Sequence, residues 1–169
     1  MSGRTERGAA RQANALTPIM LAKSRAEQAL AVKIDTAAYT CIQDLDALQK
    51  WCDAAIESGI VAFDTETNSL DVMQADMVGF SLALAPGKAC YVPLLHRSGQ
   101  GDLLGGGLID GQIKLADALR ILKPMLEHPA VLKIVQNVKY DWHIFNQLGV
   151  AVAPFDDTML MSYALDAGV

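Results

Sequence analysis

Two carboxylate clusters carry the chemistry that this 169-residue sequence offers. Asp64 and Glu66 stand two apart at the end of an apolar run, residues 60–63. Side chains two apart on a strand point to the same face. Carboxylates held side by side repel, and a hard divalent cation with oxygen ligands relieves that repulsion. The spacing is common, so the pair also reads as a strand end fraying into solvent. A second cluster, Gln136-Asn137-Val138-Lys139-Tyr140-Asp141, follows a buried run and opens a helix. Asn137 and Asp141 are four apart and share a helix face. A third carboxylate approaching the first two is what two-metal phosphodiester hydrolysis needs. One ion activates a water and the other stabilises the leaving oxygen, with about 3.5–4 Å between them. Taken alone, Asn137 reads equally as a helix N-cap and Asp141 as a solvated first-turn acid favoured by the helix dipole.

The elements that must position these groups follow from hydrophobic spacing. Residues 38–42 read as a short strand. Asp44 caps a helix through residue 56, with Leu45, Leu48, Trp51, Cys52, Ala55 and Ile56 at helical spacing, and Gly59 ends it. The run 60–63 is a strand leading into Asp64. Residues 77–85 and 88–94 are strands joined by a Pro86-Gly87 turn. A helix over 115–126, a buried strand over 131–135 and a helix over 137–148 follow, then a short strand over 150–152. Asp157 caps a last helix through residue 165. Strand pairs followed by alternating helix and strand predict a mixed α/β sheet with flanking helices. In such sheets ligands gather beyond the carboxyl ends of the strands.

Other polar groups have plainer readings. The six glycines at 99, 101, 105, 106, 107 and 111 lack the Lys-Ser/Thr ending of a phosphate loop, so they predict a surface loop. His96, His128 and His143 are scattered and read as surface or turn residues. Asp71 and Asp76 read as solvated loop acids. Lys133 and Lys139 read either as phosphate contacts or as solvated cations.

The net charge is −5, from 14 Lys+Arg and 19 Asp+Glu. Taken alone it argues against a nucleic-acid partner, which usually meets a basic domain. Bound divalent cations would invert the charge of an acidic site. Residues 1–33 differ from the rest, at +4. The first 14 residues have almost no bulky apolar group and read as a mobile tail, with a short helix from Thr17 to Ala31 behind Pro18. The expected division is therefore a flexible tail or linker over 1–37 and one domain over 38–169. No apolar stretch of 18 residues predicts a membrane span. Three Cys with no CxxC pair fit a reducing, cytoplasmic setting.

Three segments in order carry a resemblance: FDTETNSLD at 63–71, QNVKYD at 136–141 and FDDTMLMSYALDAG at 155–168. Together they look like the 3′–5′ exonuclease domain of bacterial DNA polymerase I, over roughly residues 38–168. The resemblance implies the RNase H-like, DnaQ-type exonuclease fold. It implies a single-stranded DNA 3′ end as substrate and a polymerase domain as partner. It also implies two divalent cations, Mg2+ foremost, with Mn2+ or Zn2+ as alternatives. Asp64 matches the carboxylate that bridges both ions, Glu66 a ligand of the nucleophile-side ion, and Asp141 the holder of the second ion, largely through water. Thr65, Thr67 and Leu70 match positions lining the terminal nucleotide, with Leu70 as a wedge, and Asn137 matches a contact to the strand. Tyr140 and Asp157 belong to the matching segments and read as structural, the first packing and the second capping.

The family pattern ends in a Tyr-x-x-x-Asp helix that these 169 residues do not contain, since Tyr163 is followed four residues later by Ala167. The chain thus reads as a C-terminally incomplete piece of a longer polymerase, binding metal weakly and cleaving poorly or not at all. An RNase D-type exoribonuclease, which shares the fold and the Asp-x-Glu opening, is the enzymatic alternative. A non-catalytic scaffold beside a polymerase is the other.

Overall fold

The computed structural model describes residues 17–31, 34–99 and 106–166. The tail expected over residues 1–14 lies outside the described residues, as do Gly101 and Gly105 of the expected glycine loop. The chain divides into two units, Met1–Ile34 and Asp35–Val169. Among the described residues the first contains the helix α1 (Pro18–Ala31), whose Ile19 and Met20 are exposed. The second contains β1 (Thr40–Cys41), α2 (Leu45–Ser58), β2 (Ile60–Thr67), β3 (Met77–Ala85), β4 (Lys88–Pro93), α3 (Leu115–Leu126), β5 (Leu132–Val135), α4 (Val138–Gln147), β6 (Phe155–Asp157) and α5 (Thr158–Asp166). No helix among the described residues is long and apolar enough to cross a membrane.

The six strands form one mixed sheet in the order β1-β4-β3-β2-β5-β6. β2, β3 and β4 run as an antiparallel meander, while β5 joins β2 in parallel and β6 joins β5 in parallel. Each element follows from its residues. Asp44 accepts the Ala47 N–H at 2.7 Å and starts α2; Gly59, at φ 71°, ends it in a left-handed turn that a β-carbon would strain. Leu48, Cys52 and Ala55 form the buried stripe of α2, and α2 packs on α3. β2 alternates: Val61, Phe63 and Thr65 are buried, while Ile60, Asp64 and Glu66 are exposed. Phe63 meets Phe145 of α4 edge-on at 5.6 Å, an arrangement worth about 0.5–1.5 kcal/mol beyond area burial.

Two expectations are corrected. The run 150–152 is not a strand; the strand is Phe155–Asp157. The backbone donors before it turn to helix ends instead of a ladder. Val150 N–H reaches Phe145 O at 2.9 Å, Ala151 N–H the Glu127 carboxylate at 2.9 Å, and Ala153 N–H Leu126 O at 3.3 Å. Val150 and Val152 are apolar because they are buried, not because they pair. Lys133 is neither solvated nor free for phosphate. It is fully buried, and its ammonium donates to the carbonyls of His128 (3.0 Å), Val131 (2.8 Å) and Ala153 (2.6 Å), tying β5 to the loops at its start and before β6. Burial pushes this ammonium down to about 8.

Candidate functional site

β2 presents its polar end at the middle of the sheet. Asp64 pairs with Ser81 and Glu66 with Gly79, and both acids lie exposed on the face opposite Phe63 and Thr65. After Glu66 the register slips, so that Thr67 pairs with Met77. Such a bulge re-aims the side chain that follows it. Thr67 Oγ1 lies 2.5 Å from the Tyr140 hydroxyl and donates to Ser69 O at 3.1 Å. Tyr140 in turn donates to Ser69 O. The loop after β2 is thereby fastened to α4.

The start of α4 is capped by a residue from another element. Asn137 occupies the N-cap position with φ 59°, a left-handed conformation that Asn tolerates, but its side chain makes no capping bond. Asp157, at the end of β6, supplies the cap. Its carboxylate accepts Asn137 N–H (3.1 Å) and Val138 N–H (2.9 Å), and also Met159 N–H (2.9 Å) and Leu160 N–H (3.3 Å) of α5. One acid therefore caps two helices. Burial alone would raise its carboxyl, but the four N–H donors outweigh it and hold the group below the usual carboxylate range. With its capping role taken over, the exposed Asn137 side chain remains at the rim of a recess.

Asp141 is not a solvated first-turn acid. It lies on the buried stripe of α4 with Val138, Ile144 and Phe145 and is 3% exposed. Its Oδ1 accepts both the Thr65 N–H (3.0 Å) and the Thr65 hydroxyl (2.6 Å). These bonds explain why Thr65 can be buried within an otherwise apolar row. Burial pushes the Asp141 carboxyl up, the Thr65 hydroxyl opposes it, and the nearby charge of Asp64 adds to the rise.

Thr65, Thr67, Leu70 and Asn137 do come together. With Glu66, Asn68, Ser69 and Tyr140 they line a recess of about 480 Å³. Leu70 stands at its edge 99% exposed, an apolar side chain with no packing role in the domain. Tyr140, read from the sequence as packing only, is a wall of this recess. The signal for that was present, because a helix places residue 140 next to residue 137 on the face nearest the strand ends. Among the described residues, no group of three or more His, Cys, Asp or Glu side chains is gathered into a cage that could hold a metal ion. The chemistry of the set nonetheless fits a hard divalent cation. All the donors are oxygens, and the unscreened charge of Asp64 presses on buried Asp141. Asp64 and Glu66 are exposed on one face of β2.

A family model described as 3′–5′ exonuclease, of the DNA polymerase A type, matches residues 39–169. The chain belongs to this exonuclease family. A DNA polymerase I of Rhizobium leguminosarum is 52% identical over 163 residues, and one of Pseudomonas aeruginosa is 37% identical over 145. The alignments take in 91% and 84% of this chain but only 16% and 15% of those proteins, so the exonuclease chain spans about a sixth of the length of the relatives it matches. Among solved structures, Escherichia coli RNase D is similar at 23% identity and a TM-score of 0.50, over 73% of this chain and 28% of that one. A GMP complex of Trypanosoma brucei RNase D is similar at 14% identity and a TM-score of 0.57, over 75% and 35%. These likenesses establish the RNase H-like fold of the exonuclease domain.

Proposed function

We propose that this chain is the proofreading-type module of a DNA polymerase I, hydrolysing the 3′-terminal phosphodiester of single-stranded DNA ends. The observation that carries the reading is the recess between β2 and α4, with Asp64 and Glu66 on β2 and Asp141 tied to Thr65 between them. The terminal nucleotide occupies the recess: Thr65 and Thr67 line its floor, Asn137 offers an unengaged amide to the strand, and Leu70 wedges against the bases. Tyr140 holds the floor in place through Thr67 and Ser69. Asp64, Glu66 and Asp141 would hold two divalent cations, Mg2+ in the first place, which supply charge neutralisation and a water acidic enough to attack phosphorus at neutral pH. In this assignment Asp64 would serve both ions, Glu66 the nucleophile side, and Asp141 the second ion, while its Oδ1 accepts from Thr65.

A polypeptide of these 169 residues turns over weakly, since Asp141, one of its three proposed ligands, is buried. The test is single-turnover digestion of a 5′-labelled single-stranded DNA and an RNA of the same sequence by excess protein with Mg2+ or Mn2+. Slow 3′-end shortening of DNA in preference to RNA is expected. Preference for RNA would favour the RNase D-type reading, and no shortening of either would favour a non-catalytic scaffold. Turnover as fast as that of a polymerase-length relative would contradict the weak activity.

A further inference from the structure

Tyr91 of β4 lies in the same cross-sheet row as Ser81 and Asp64, on the face that carries the exposed acids. Its ring does not stand straight up from the sheet. It leans over Gly79, the residue paired with Glu66. A β-carbon at position 79 would come within 2.0 Å of the Tyr91 hydroxyl oxygen and 2.5 Å of its ring carbon Cζ. Any other residue there would expel the ring, so the glycine clears a seat for a phenol directly beside Glu66. The hydroxyl is anchored from the far side. His96 Nε2 lies 2.6 Å away, and the two rings meet edge-on at 5.7 Å. His96 is itself pinned by Gln112, which accepts its N–H at 2.7 Å and donates to its carbonyl at 3.0 Å. His96 is therefore no loose surface histidine. Burial first, and then the charge of Glu66, push the Tyr91 phenol above its ordinary range.

We propose that Tyr91, backed by His96, is a positioning residue for Glu66, its hydroxyl holding the Glu66 carboxylate directly or across one water. With its proton on Nε2, His96 donates to Tyr91 Oη and leaves the phenol proton for the carboxylate. Glu66 is otherwise exposed and rotamer-rich, and an exposed ligand that must be ordered before it can bind loses affinity. The inference rests on the reading of Glu66 as a cation ligand given above.

The experiment measures Mn2+ affinity of the 169-residue chain by calorimetric titration, with thermal melts alongside. Tyr91→Phe keeps the ring in its seat and removes only the hydroxyl. His96→Leu removes the backing donor, and His96→Gln restores one. The expected result is that Y91F and H96L each weaken Mn2+ binding about three- to tenfold, the effect of one lost hydrogen bond. H96Q stays near wild type, and the Y91F/H96L double variant is no weaker than either single one. A purely structural pair would shift the melts and leave Mn2+ affinity alone, which overturns the proposal. Glu66→Gln separates the two layers. If E66Q weakens binding while Y91F does not, positioning by Tyr91 is wrong and the metal reading stands. If E66Q is also silent, Glu66 is no ligand and both fall.

Discussion

Asp141 is bound to β2 through a single residue, so its substitutions separate charge from shape. Asp141→Asn keeps an acceptor for the Thr65 N–H and hydroxyl, whereas Asp141→Ala leaves a buried N–H unpaired. Asp141→Ala is expected to cost about 1–3 kcal/mol in chemical denaturation. Asp141→Asn is expected to cost less while still weakening Mn2+ binding. Equal stability losses would show that the two bonds to Thr65 contribute nothing. Lys133 gives a pH signature. Its native value of about 8 lies below the roughly 10.4 of an unfolded lysine. Between these values the native chain has released a proton that the unfolded chain still holds, so stability rises with pH across that window. Below it, the cost of burying the charge is fully present. Lys133→Met should remove this rise in denaturation curves taken from pH 7.5 to 10, and an unchanged slope would contradict the assignment. The residue scale is also where sequence reasoning reached least far. Lys133 and Asp141 both look solvated by type. Their burial depends on partners that are remote in sequence, the Ala153 carbonyl 20 residues from Lys133 and Thr65 76 residues from Asp141.

At the scale of elements, spacing alone was enough for most of the fold. α2, β3 and α3 lie where their apolar periods and caps place them, because local signals and tertiary packing agree there. The run 150–152 misled because burial in a loop leaves the same apolar imprint as burial in a strand. Asp157 was legible as a cap but not as a double one, since its second client, α4, starts 19 residues earlier. That double role makes a prediction. The N–H donors favour the ionised acid in the native state, so its contribution is present above the ordinary carboxylate range and lost as pH falls through the lowered native value. Asp157→Ala should lower the melting midpoint at pH 7 and flatten the loss of stability on the acid side. It should also raise amide exchange at the first turns of both α4 and α5. Exchange rising in α5 alone would contradict the shared cap.

For the whole Asp35–Val169 unit, the relevant quantity is exposed apolar surface. On α5, Leu160, Met161, Tyr163 and Leu165 are 49%, 43%, 64% and 88% exposed, and Phe155 of β6 is 39% exposed. Exposed apolar surface of this kind favours association. The 169-residue polypeptide is expected to show concentration-dependent self-association in sedimentation velocity, reduced by Leu165→Lys; a monomer at all concentrations would contradict this. The net charge of −5 fits the same picture. In the proposed site three of the 19 acids are ligands, so that part of the acidity belongs to the chemistry. The proposed site depends above all on Asp64 as the carboxylate that holds the cations. Mn2+ titration of wild type and Asp64→Ala, followed by electron paramagnetic resonance, tests it most directly. Measurable binding to wild type and at least a tenfold loss in D64A, with the fold intact, are expected. Equal binding by the two proteins would contradict it.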